Sequence, residues 1–168
     1  MFKWLRNIFV GRFNKESVNN FRENLLKDNA EKLTEQVSQF QDDVEGHEIF
    51  LREVSRTLMK TVLAVLCYKR DNNGKFPEFT MDISKIQENL DLRMLCDCYD
   101  DNRLPDHDEN GMPVKKYIET YLSGLGDFWN KKFDIDDIDN PSSVKALKEK
   151  HEVSENYWKD VLDKLAKY

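Results

Sequence analysis

At 168 residues, with 39% hydrophobic and 35% charged side chains, the chain has the length and composition of a folded domain and not of a disordered tail. The formal net charge of −6 repels phosphate backbones, so nucleic-acid binding would require a local basic patch. The cysteines, Cys67, Cys96 and Cys98, are odd in number and lack framework spacing, which points to a reducing compartment and an expected cytoplasmic location.

The chain opens MFKWLRNIFVGRFNK, in which every charge is positive. Residues 1–14 read as an amphipathic basic segment ahead of a single helical domain over 15–168. Phe2, Trp4, Leu5, Phe9 and Phe13 supply apolar surface, flanked by Arg6 and Arg12. Arginines so placed reach lipid headgroups while the aromatic rings sit in the interface, so the segment docks on a membrane surface, on a partner, or on the chain's own core. It is too short to span a bilayer, and the run Ile8-Phe9-Val10 falls short of the roughly 7–15 residues of a secretory signal's apolar centre.

From about Glu16 to Val44 the residues Leu26, Ala30, Leu33, Val37, Phe40 and Val44 recur at spacings of 4, 3, 4, 3 and 4. This heptad seam predicts one long helix over 16–44 that packs antiparallel within the chain or pairs two copies of it. A second long helix is predicted over 47–70, apolar nearly all round in its second half and therefore central. It stops at Asp71-Asn72-Asn73-Gly74, and Phe76-Pro77-Glu78-Phe79 reads as a connector. A third helix over 82–99 uses Ile83, Ile86, Leu90, Met94 and Leu95. A fourth starts near Pro113 and ends at Gly124 and Gly126, and two last helices run over 142–151 and 154–167. The fold class is all-α, a bundle of about five to six helices.

The stretch SVKALKEKHEVSENYWKDVL resembles the helix-turn-helix pattern of many bacterial regulators. The resemblance places Leu147 inward on the first helix, Val153-Ser154 at the turn, and Trp158 and Leu162 inside the second. Lys148 stands where that pattern has Ala, and Glu152 where it has Gly. The resemblance implies a nucleic-acid-binding regulator, yet Glu155, Asp160 and Asp163 balance Lys159, Lys164 and Lys167 on the second helix.

DHDENG resembles the start of an EF-hand loop, with Asp106, Asp108, Asn110 and Gly111 at its first ligand positions, but Tyr117 stands where the closing Glu belongs. Whether the Asp106–Gly111 loop binds calcium stays open at this level. Cys96 and Cys98 with His107 have poor spacing for zinc, and no cofactor or metal site is assigned. His107-Asp108 with His47 is similar to the His-Asp pair of all-α metal phosphohydrolases, but it sits in a loop and not on rigid helices.

Two acidic clusters remain: Asp97, Asp100, Asp101, Asp106, Asp108 and Glu109, then Asp134, Asp136, Asp137 and Asp139. Complementary charge of this kind speeds association and selects partners. The expected function is a small non-enzymatic interaction module (adaptor, inhibitor or immunity-type) that binds a basic protein. The alternatives are a peripheral membrane protein anchored by residues 1–13 and a helix-turn-helix regulator.

Overall fold

A computed structural model describes residues 13–41, 48–127 and 141–168, with side chains omitted at 48–51, 126–127 and 141–147. Among the described residues there are seven helices and no strands. They are α1 (Lys15–Asn24), α2 (Ala30–Ser38), α3 (Glu48–Asp71), α4 (Ile83–Asn89), α5 (Leu92–Asp100), α6 (Lys115–Asp127) and α7 (Pro141–Ala166).

Helix α3 is central, as its apolar second half requires. Leu58, Met59, Val62, Leu63, Val65 and Leu66 are buried on all its sides, and α2, α4, α6 and α7 all contact it. Thr61, buried among them, donates its hydroxyl to the Thr57 carbonyl one turn back. Trp158 of α7 is fully enclosed and donates its indole N–H to the Ser55 carbonyl, which ties α7 to α3.

The predicted single helix over 16–44 is two helices within the described residues. Asn29 adopts extended backbone and its side chain accepts from the Lys32 amide, so it starts a new helix at Ala30. The inward residues are Val18, Phe21, Leu25, Ala30, Leu33, Val37 and Phe40, and the interval of five between Leu25 and Ala30 marks the break. The heptad seam took Leu26 as its first member, but Leu26 is 65% exposed while Leu25 is buried. The helix over 47–70 is α3, within one residue at each end.

The helix expected over 82–99 is also two. Asp91 caps α5 by accepting from the amides of Arg93 and Met94, and Met94 is exposed while Leu95 is buried. Helix α6 runs through Gly124 to Asp127, because Tyr121, Leu122 and Leu125 continue one buried stripe across the glycine. Helix α7 is continuous, so the turn that the helix-turn-helix resemblance places at Val153-Ser154 does not exist. His151, Ser154, Trp158, Leu162 and Leu165 form one buried stripe, with Val153 outside it.

Candidate functional site

The loop after α5 is built by its own side chains. Arg103 spans the Asp101 carboxylate, donating to both oxygens, and its guanidinium lies 4.3 Å from the centroid of the buried Phe76 ring. It also reaches the Lys75 carbonyl and Glu78. This hydrogen bonding holds the Asp101 carboxyl below the usual carboxylate range.

Asp108 accepts from the amides of Asn110 and Met112, each at 2.8 Å, and its own amide donates to the Met112 carbonyl. Gly111 completes the turn at φ 78°, where an L side chain would be strained. His107 and Pro113 form the bridge that closes the loop. One oxygen of Asp108 is therefore committed to backbone amides. Among the described residues no group of three or more His, Cys, Asp or Glu side chains is arranged to hold a metal ion.

The first acidic cluster lies on the end of α5 and on this loop. Asp97, Asp100, Asp106 and Glu109 are exposed, whereas Asp101 and Asp108 are half-buried. Asp97 pairs with Arg93 one turn away, at 3.7 Å. The second cluster, Asp134, Asp136, Asp137 and Asp139, lies outside the described residues. So do Phe2, Trp4, Leu5, Arg6, Phe9 and Arg12 of the N-terminal segment, and His47. Phe13 is described: its ring packs 5.2 Å from that of Phe40, on the core. No helix among the described residues is long and apolar enough to cross a membrane.

Cys96 and Cys98 are buried and His107 is exposed, so the three are not brought together as ligands. Burial pushes the Cys67 and Cys96 thiols up to about 11, outweighing the nearby Arg70 and Arg93, and it raises Cys98 as well. All three stay protonated and unpaired, as thiols of low nucleophilicity.

Between the start of α2, the second half of α3 and the Asp108–Val114 loop lies a groove of about 220 Å³. Ala30, Ala64, Met112, Pro113 and Val114 give it an apolar floor, and of these Met112 is 37% exposed. Glu31, Asp71, Asp108 and Glu109 are its acidic side chains, and Lys60 is the single base on its lining. The groove thus joins part of the predicted acidic cluster to Glu31 and Asp71, which sequence spacing did not connect. The link is tertiary, since the three contributing segments are far apart along the chain.

A second polar assembly is sealed in the core. His151 is fully buried between two partners: its Nδ1 lies 2.8 Å from the Tyr121 hydroxyl, and its Nε2 lies 2.6 Å from the Leu90 carbonyl. A carbonyl only accepts, which places the ring proton on Nε2 and makes Nδ1 the acceptor for Tyr121. Burial lowers the pKa of His151, against the opposing pull of the Leu90 carbonyl and Glu155, and burial raises that of Tyr121. Both ring nitrogens are occupied in joining α4, α6 and α7.

No family model matches the chain, and no match is found among curated proteins or solved structures.

Proposed function

We propose that the chain is a small non-enzymatic interaction module that binds a basic protein through the acidic surface at the end of α5 and the loop after it. The observation that carries this reading is the exposure of Asp97 and Asp100 at the end of α5, and of Asp106 and Glu109 on a loop frame held by Arg103, Asp108 and Gly111. A rigid frame lets exposed carboxylates meet a partner without first being ordered, which favours fast, selective association. The candidate nucleophiles fit a binding role better than a catalytic one: the thiols are kept protonated, and the buried imidazole has both nitrogens in use. Three unpaired thiols also suit a cytoplasmic setting. We further propose that the helices form one bundle around α3. Phe13 rests on Phe40, so this one residue of the N-terminal segment packs on protein.

The test is capture from a native lysate at low salt, with the full chain and with a variant carrying Asp97→Asn, Asp100→Asn, Asp106→Asn and Glu109→Gln. A partner held by the parent, lost from the variant and released by high salt supports the reading. Equal recovery on both chains, or none on the parent, overturns it.

A further inference from the structure

We propose that the groove beside α3 is an anchor pocket for one arginine side chain of the basic partner. The proposal rests on the interaction reading above and adds to it the place and the residue recognised.

At about 220 Å³ the groove is smaller than the roughly 300–1,000 Å³ of pockets that enclose drug-sized ligands, and it suits a single side chain. Its walls divide by chemistry. The apolar floor of Ala30, Ala64, Met112 and Pro113 complements a methylene stem. Four carboxylates against one ammonium give the lining a net negative charge. Asp71 is engaged by Arg70 and one Asp108 oxygen by backbone amides, but Glu31 and Glu109 make no ion pair among the described residues.

Two tyrosines, Tyr68 and Tyr117, also line the groove, and each already has a cation near its ring. The Lys60 ammonium lies 5.4 Å from the Tyr117 centroid, and that of Lys75 lies 5.8 Å from the Tyr68 centroid. The start of α2 borders the groove, and its helix dipole disfavours a cation there. Glu31, in the first turn of that helix, offsets this with a full negative charge.

Arginine matches this combination better than lysine. Its stem covers the floor, and its forked donors meet the carboxylate of Glu31 or Glu109 with two hydrogen bonds. An ammonium uses the stem and the charge but not the fork.

The full chain should be titrated at low salt with labelled hexa-arginine, hexa-lysine and hexa-citrulline peptides, with backbone amide NMR shifts followed in parallel. Hexa-arginine is expected to bind more tightly than hexa-lysine, hexa-citrulline not to bind, and the amides of Ala30, Ala64 and Met112 to shift. Glu31→Gln, at an exposed position outside the proposed acidic cluster, should weaken hexa-arginine about tenfold while the melting temperature changes little. Ala64→Leu, which fills the floor, should do the same.

Binding that shifts only residues 97–106 and ignores both variants overturns the anchor pocket and leaves the acidic-surface reading standing. Equal affinity for hexa-lysine overturns the arginine assignment. Loss of binding on Asp97→Asn with Asp100→Asn, but not on Glu31→Gln, likewise assigns binding to the surface and not to the groove. Absence of binding by any peptide overturns both readings.

Discussion

His151 is held neutral by where it sits. Burial disfavours the imidazolium, and a protonated Nδ1 would face a tyrosine hydroxyl that now donates to it. Glu155, 3.7 Å from Nε2, and also Asp91 and Glu152 pull the other way, but burial outweighs them. The folded pKa therefore lies below the ordinary value of about 6.5, which the unfolded chain keeps. Below that pH the unfolded chain takes up a proton that the folded chain refuses, so stability is full above about 6.5 and falls as the pH drops towards the folded value. Asp82 and Asp101 have lowered pKa values, so their contribution is lost only at more acidic pH. Urea midpoints should fall from pH 7.5 to pH 5.5 in the parent and stay nearly level in His151→Gln. An equal slope in both chains would assign the loss to other groups. Nothing around His151 in the sequence marks this role, because its partners are 30 and 61 residues away.

At the scale of single helices, the central α3 was legible because its apolar residues cover every face of one uninterrupted stretch. The break between α1 and α2 was not, although Asp28-Asn29 before Ala-Glu is a helix start in local chemistry. A heptad pattern running from Leu26 to Val44 masked it, and it displaced the first buried position from Leu25 to Leu26. Arg70, which no local pattern singles out, closes that break: one of its nitrogens donates to the carbonyls of Leu25 and Asp28, each at 2.7 Å. Arg70→Met removes both charge-assisted bonds from a nearly buried site. It should cost about 2–3 kcal/mol in urea unfolding, with faster amide exchange confined first to α1 and α2. Gly124 is the converse case. Sequence pattern places a helix end there, but the glycine lies exposed within α6 with nothing within 4 Å of where a Cβ would stand. Gly124→Ala should raise stability by about 0.5–1 kcal/mol, seen as a higher urea midpoint at unchanged m. A destabilised variant would mean that α6 does not continue past that residue in solution.

For the molecule as a whole, charge and packing carry different parts of the argument. Composition fixed the sign of the field and the all-helical class, because six glycines and four prolines in 168 residues leave few places to turn. It left the groove unseen, since a cavity exists only once α2, α3 and the loop after α5 have met. The net charge of −6 acts over a distance of about 10 Å at 0.1 M salt, whereas the groove acts on contact. These two ranges separate in kinetics. In stopped-flow mixing with labelled hexa-arginine, the association rate should fall steeply between about 20 and 200 mM salt while dissociation changes much less. Asp97→Asn with Asp100→Asn, distant-acting and outside the groove lining, should flatten the salt dependence of association. Glu31→Gln, which changes the net charge by one and not two, should act mainly on dissociation, because the contact it removes exists only in the bound state. If both variants moved the same rate constant, steering and anchoring would be one property of the acidic face and not two.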